Sequence, residues 1–218
     1  MKTCKICNHT TSNFYDNNLK VIFHYCINCG FIFKDENFIL EHKKEKEQYN
    51  KHENTIKNRG YVEFLQRFID KAVTPYLQDN LKILDYGCGP NPVLKKLLNI
   101  ENTNIYIYDP YFYPHINVLK HNKYDLITST EVVEHFFDPV KEFNFLESLL
   151  NEGGLLSVRT EFHPSNLIKF KNWWYRRDLT HISFYNIKTF ETISSNSNLK
   201  IVDTNTQDYI VFKKISSQ

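Results

Sequence analysis

Two groups of residues in this 218-residue chain have the types and spacing to do chemistry. Glu131, Glu134 and His135 stand at i, i+3 and i+4, so a helical turn would set two carboxylates and an imidazole on one face. Such a set can deprotonate an acceptor, with His135 as general base and the glutamates orienting it. It can also hold a divalent cation, with His181 as a fourth ligand. Mixed carboxylate and imidazole ligands suit Mn²⁺, Fe²⁺ or Zn²⁺ better than Mg²⁺. The second group is Cys4-x-x-Cys7 and Cys26-x-x-Cys29, with 18 residues between the pairs. That is the spacing of a zinc ribbon, whose two knuckles aim four sulfurs at one ion. A closed four-thiolate site has no open position, so its role is structural. Cys88 stands alone, with no neighbour in sequence to activate it as a nucleophile.

The elements that must position these groups alternate between strand and helix. Val21, Phe23 and Tyr25 alternate into the second knuckle as a strand should. Residues 41–59 are strongly charged and read as a solvated helix or linker. Tyr61, Phe64, Leu65, Phe68, Ile69 and Ala72 recur at helical spacing, and Pro75 ends that helix. Strands are expected over 81–86, 104–108, 124–129 and 155–160, with a helix over about 140–150 between the last two. Residues 162–177 read as irregular and aromatic, 187–196 as helical, and 200–203 and 209–213 as antiparallel strands. This pattern predicts an α/β fold, a Rossmann-like doubly wound and mostly parallel sheet with an antiparallel C-terminal strand. The expected division is a zinc ribbon over 1–35, a helical linker or lid over 36–80, and a main domain over 81–218.

The first strand of the main domain runs into Asp85-Tyr86-Gly87-Cys88-Gly89-Pro90, and the second ends at Asp109-Pro110. A strand followed by a turn of small residues brings bare backbone up to a nucleotide-like ligand, and an acidic side chain after the next strand suits ribose hydroxyls. A dinucleotide fingerprint would need a third glycine where Pro92 stands. The segments ILDYGCGP, IYIYDP, DLITSTEVVEHFFDP and NEGGLLSVRTEF together resemble the class I S-adenosylmethionine-dependent methyltransferases over about residues 61–218. The whole chain, with HEN…GYVEFL and WWYRRDLTHISFY, is similar to a bacterial group of these enzymes that carries an N-terminal zinc ribbon. The resemblance implies an α/β fold, S-adenosylmethionine as methyl donor and a structural zinc. It implies that Gly87, Cys88 and Gly89 meet the methionine portion, that Asp85 approaches its ammonium group through water, and that Asp109 and Pro110 flank the ribose. It places Thr130 and Glu131 against the donor and residues around 122–124 near the adenine. One departure is Asn91, where the family often has a third glycine. E-x-x-E-H with a later histidine also resembles the metal site of RNA 3′-end 2′-O-methyltransferases, which implies a second divalent metal at Glu131, Glu134, His135 and His181. The same motif occurs in many relatives not known to use metal, which implies instead that Glu131 touches the cofactor while Glu134 and His135 stabilise the loop and helix start.

Trp173, Trp174, Tyr175, Arg176, Arg177 and Asp178 precede His181 and follow the fifth strand of this pattern. There they could offer stacking faces and hold a phosphate or carboxylate of the acceptor, or cap the core. His52-Glu53-Asn54 is a candidate lid. Net charge is +2, and the ribbon segment has only Lys2, Lys5, Lys20 and Lys34 as basic residues. That is thin for tracking a phosphate backbone, so a small-molecule acceptor (a sugar, a nucleotide-linked metabolite or a phenol, methylated at oxygen or carbon) is favoured over RNA. The alternatives are an RNA or protein methyltransferase that docks through its ribbon, and a non-catalytic binding protein. No run of about 18 apolar residues and no apolar leader is present, so a cytoplasmic protein without a membrane span is expected.

Overall fold

The computed structural model describes residues 2–50, 54–98 and 103–216. Its strands are β1 (Ser12–Asp16), β2 (Val21–Tyr25), β3 (Ile32–Lys34), β4 (Lys82–Tyr86), β5 (Asn104–Tyr108), β6 (Tyr124–Thr130), β7 (Leu150–Arg159), β8 (Ser183–Phe184), β9 (Leu199–Thr204) and β10 (Tyr209–Lys214). The helices are α1 (His42–Tyr49), α2 (Arg59–Ala72), α3 (Val93–Leu97), α4 (Asn117–Lys120), α5 (Pro139–Leu149), α6 (Leu167–Asn172) and α7 (Ile187–Ser195). Among the described residues, no helix is long and apolar enough to cross a membrane.

Six strands form the main sheet in the order β5-β4-β6-β7-β10-β9. The pairs β5-β4, β4-β6 and β6-β7 are parallel, while β10 runs antiparallel to both β7 and β9. Side chains alternate across a strand, and here they sort onto two faces. Ile83, Leu126 and Val211 join a cluster with Leu65, Phe68 and Ile69 of α2 and with Val93 and Leu94 of α3. Leu84, Ile127, Leu156 and Phe212 face the other way, against Phe143 and Leu146 of α5 and Phe190 of α7. Both faces of the sheet are therefore covered, which explains the near-continuous apolar runs in its strands. The predicted irregular stretch 162–177 contains α6 and a short 3₁₀ turn at Tyr175–Arg177. Asn166 starts α6 by accepting hydrogen bonds from Ile168 and Lys169 N–H, a cap signal that the aromatic composition masks.

The first three strands form a second sheet, β1-β2-β3-β8, completed by a strand from far along the chain. Cys4, Cys26, Cys29, Phe31 and Phe33 are buried in the same cluster as α5 and α7. The joint is also hydrogen-bonded. His163 Nε2 lies 2.8 Å from Gly30 O, and Thr189 Oγ1 donates to Cys29 O at 2.9 Å. Gly30 sits at φ +77°, and a Cβ there would meet the Asn186 side chain at 2.4 Å. Close approach as well as backbone conformation thus requires glycine after the second knuckle.

Candidate active site

Strands β4, β5 and β6 end on one edge of the sheet, as the ligand side of an open α/β sheet does. The loops beyond them enclose a cavity of about 460 Å³. Gly87 at φ +80° would, with a Cβ, strike the Val132 side chain at 2.3 Å. Gly89 at φ +66° has nothing within 4 Å of a Cβ, so its backbone borders open space. Asn91 lies on the cavity wall without adopting a positive φ, so the missing third glycine is no obstacle to the loop. Asp109 ties two loops together. Its Oδ2 accepts from Gly89 N–H at 3.0 Å, and its Oδ1 accepts from Tyr111 and Phe112 N–H at 2.8 and 3.0 Å. A carboxylate has about four acceptor sites, which leaves capacity for one further hydroxyl.

Gly87, Cys88, Gly89, Asp109, Pro110, Thr130 and Glu131 all line this cavity, but Asp85 does not. Asp85 lies beneath the glycine loop, 3% exposed, and accepts a hydrogen bond from Thr128 Oγ1 at 3.3 Å. Burial pushes its carboxyl up to about 7. Residues 122–124 do not line the cavity either. Tyr124 begins β6 and is fully buried, donating its hydroxyl to Val118 O at 2.6 Å. The cavity gathers the C-terminal strand ends, and Tyr124 stands at the opposite end. Tyr86, Tyr108, Tyr111 and Phe112 are among the rings that line it.

Helix α1, within the 36–80 stretch expected as a helical linker or lid, borders this cavity. His42, Glu45 and Tyr49 line it. Tyr111 O–H donates to Glu45 Oε2 at 2.6 Å, and Tyr49 O–H donates to Glu45 Oε1 at 2.7 Å. Tyr49 is a lone aromatic in that charged run. Of the candidate lid, His52 and Glu53 lie outside the described residues, while Asn54 lines the cavity.

A second cavity of about 770 Å³ adjoins the first, and Tyr49, Asn54, Tyr61, Glu131 and His135 line both. The expected helical face does not form. Glu131 ends the strand region at φ +56°, and the 3₁₀ turn Val133–His135 follows. Glu131 therefore diverges from Glu134 and His135 and pairs with Arg159. Arg159 also pairs with Glu161 at 2.7 Å and with Asp208 at 3.3 Å. The Tyr175 hydroxyl lies between the carboxyls, 3.2 Å from Glu131 Oε2 and in contact with Glu134 Oε1. Burial first, and then the neighbouring carboxyl, raises Glu131 above the ordinary carboxylate range; burial raises fully buried Glu134 as well.

His135 and His181 face each other, with ring centroids 5.0 Å apart. His135 Nδ1 donates to Thr180 O at 3.0 Å, and His181 Nδ1 donates to Tyr175 O at 2.8 Å. A carbonyl can only accept, so both rings carry the proton on Nδ1 and leave a lone pair on Nε2. Burial lowers both imidazoles below their ordinary range and keeps them neutral at pH 7. Glu134, His135 and His181 each offer a ligand atom, all within 4.8 Å of one another. Glu131 is not part of that group. Glu134 Oε2 is buried without a hydrogen-bond partner.

The aromatic segment splits in two. Trp174 and Arg177 line the second cavity. Trp173 packs instead against Phe170 and Phe184, with centroids at 5.9 and 6.1 Å. Arg176 is 2% exposed, pairs with Asp16 of β1 at 2.8 Å and donates to Phe170 O, so it lies away from both cavities. Sequence reading offered Tyr175 only as a stacking face and did not single out Arg159, because a tyrosine and an arginine gain these carboxyl partners only through tertiary contacts.

In the N-terminal segment, Cys4 Sγ lies 3.5 Å from Cys29 Sγ, and Cys7 Sγ lies 3.5 Å from Cys26 Sγ. All four cysteines are free thiols, and their sulfurs lie within 4.8 Å of one another. A tetrahedron with metal–sulfur bonds of about 2.3 Å has edges of roughly 3.8 Å, so the four sulfurs fit one ion.

Residues 56–204 match a family model described as a methyltransferase domain. With well over half of its residues matched, this chain belongs to that family and is an S-adenosylmethionine-dependent methyltransferase. Three solved structures are similar to it. A CurJ carbon methyltransferase is 13% identical, with 81% of this chain and 59% of that chain covered and a TM-score of 0.47. A magnesium protoporphyrin IX methyltransferase from Synechocystis with bound S-adenosylhomocysteine is 13% identical, with 72% and 84% covered and a TM-score of 0.46. The plantazolicin methyltransferase BpumL is 12% identical, with 80% and 90% covered and a TM-score of 0.48. Likeness at this level does not carry acceptor chemistry from one protein to another. A search of curated proteins found no match.

Proposed function

We propose that this protein methylates an oxygen or carbon of a small molecule held in the second cavity, with the donor held in the first. The observation that carries the reading is that two cavities of ligand size meet at Glu131 and His135. The donor fits the first cavity because a left-handed loop borders open space at Gly89 while Asp109 retains acceptor capacity for one hydroxyl. S-adenosylmethionine supplies a methyl group already activated on a cationic sulfur. The chain's own work is then to align and deprotonate the acceptor. His135 is neutral, its tautomer is fixed by Thr180 O, and its free Nε2 accepts the acceptor's proton. Glu131, anchored by Arg159 and Tyr175, walls the junction between donor and acceptor. His181 stands beside His135 and helps exclude water from it.

We also propose that Cys4, Cys7, Cys26 and Cys29 hold a structural zinc, a reading supported by four sulfurs within 4.8 Å of one another and in keeping with the ribbon-bearing group of these enzymes. The ribbon braces the acceptor side: Lys34 N–H donates to Ile182 O at 2.9 Å, and Lys34 Nζ donates to Leu179 O at 2.7 Å. A second reading of the histidine pair is favoured by one atom, the partnerless Glu134 Oε2. A divalent cation held by Glu134, His135 and His181 would satisfy it and acidify an acceptor hydroxyl. Metal analysis separates the two readings. One metal per active chain supports His135 acting alone, and a second metal whose removal stops turnover supports the cation.

The acceptor class is tested by incubating the protein with methyl-labelled S-adenosylmethionine and a cell extract. Label in the small-molecule fraction, absent with His135→Gln, is the expected result. Label in RNA or protein would contradict it.

A further inference from the structure

On the wall of the second cavity stand an arginine without an ion pair among the described residues and a largely exposed ring. Of the cavity's charged side chains, Glu131 is neutralised by Arg159. Asp178 accepts from Thr180 N–H at 2.8 Å and Thr180 O–H at 2.6 Å, and lies 3.9 Å from His181 Nε2. Arg177 lines the same cavity and has no ion-pair or hydrogen-bond partner for its guanidinium among the described residues. Its neighbour Arg176 shows the contrast, since that guanidinium is spent inside the ribbon joint on Asp16 and Phe170 O.

Trp174 lines this cavity too and is 61% exposed. It meets Tyr175 edge-on, at 5.3 Å and 83°, so this contact does not cover its ring face. A large exposed aromatic on a cavity wall offers a face on which a ring can stack. A guanidinium fork matches the paired oxygens of a phosphate or carboxylate. One such fork serves one anionic group; a nucleic-acid backbone would call for several cations.

We infer that the methyl acceptor is a small anion with a planar or ring portion, its phosphate or carboxylate held by Arg177 and its ring on Trp174. This rests on the reading of the second cavity as the acceptor site.

The test uses the full zinc-loaded chain, with and without S-adenosylhomocysteine. Phenyl phosphate, benzoate, inorganic phosphate and neutral phenol are titrated by calorimetry. The chain has two tryptophans, so emission quenching that disappears in Trp174→Phe reports occupancy at this ring. The expected result is saturable binding of an aryl anion, weakened at least about tenfold by Arg177→Gln, with phenol weaker than either aryl anion. The tighter of phenyl phosphate and benzoate tells which anion the natural acceptor bears. Equal binding to Arg177→Gln, or no aryl anion bound below about 1 mM, overturns the proposal. So does a loss of S-adenosylhomocysteine affinity in Arg177→Gln, which would assign that arginine to the donor. Failure of the unaltered protein to bind S-adenosylhomocysteine refutes the donor reading instead, while the anion titrations without it still decide this one.

Discussion

Replacing Asp85 with Asn should make the ligand-free protein more stable at pH 8. Asp85 is 3% exposed, and its carboxyl accepts a hydrogen bond from Thr128 Oγ1 at 3.3 Å. Burial raises its carboxyl from 3.8 to about 7, with Asp109 as a smaller contribution in the same direction. Between these values the folded protein keeps a proton that the unfolded chain has released. Stability therefore falls as pH rises through that window and levels off above about pH 7. The shift is roughly 3 pH units, which makes the full effect at most about 4 kcal/mol. Asn keeps the shape and can still accept from Thr128, but cannot ionise. Urea unfolding of both proteins at pH 5 and pH 8 measures the effect. The variant's advantage should grow between the two conditions by well over 1 kcal/mol, with unchanged m-values. A variant no more stable than the unaltered protein at pH 8 would refute the reasoning and show that the folded state solvates or pairs the Asp85 charge. The ammonium group of a donor analogue bound above the glycine loop should lower the Asp85 pKa. S-adenosylhomocysteine binding near pH 7 is then expected to release a fraction of a proton, visible as a dependence of binding heat on buffer ionisation.

Gly87→Ala should destabilise the fold and abolish donor-analogue binding, because its Cβ would strike Val132 at a positive φ. Gly89→Ala has open space and should cost only about 1 kcal/mol of stability in thermal melts, while still weakening S-adenosylhomocysteine binding. Arg176→Met strands buried Asp16 without its cation and should lower the unfolding free energy by about 3 kcal/mol, leaving donor-analogue affinity unchanged. Mass spectrometry under native conditions should find one zinc bound by the four cysteines and none in Cys26→Ser, whose melting temperature should fall by several degrees. Tyr111→Phe removes the hydroxyl that links α1 to the loop after β5, and should speed S-adenosylhomocysteine release several-fold in stopped flow.

Much of the fold was legible because burial repeats with the period of each element. The period-2 and period-3.6 runs marked α2 and the main strands to within about two residues, except β7, which begins at Leu150 rather than at 155. The glycine loop and Asp109 were legible because close backbone approach leaves few residue types to choose from. What escaped was set by contacts between distant residues. β8 is two residues long and exists through pairing with β3, which no local pattern encodes. Glu131, Glu134 and His135 have helical spacing, yet Glu131 takes a left-handed φ and its carboxylate goes to Arg159. Arg176 and Arg177 are adjacent in sequence, and only three-dimensional structure tells the buried one from the one on the cavity wall. Helix α1 reads as solvated because most of its charges are, while Glu45 and Tyr49 turn inward onto Tyr111.

The account stands on a donor held between the glycine loop and α1. Calorimetric titration of the full chain with S-adenosylhomocysteine tests that most directly. The predicted result is one saturable site per chain that is lost in Gly87→Ala. Absence of saturable binding to the unaltered, folded protein would contradict it.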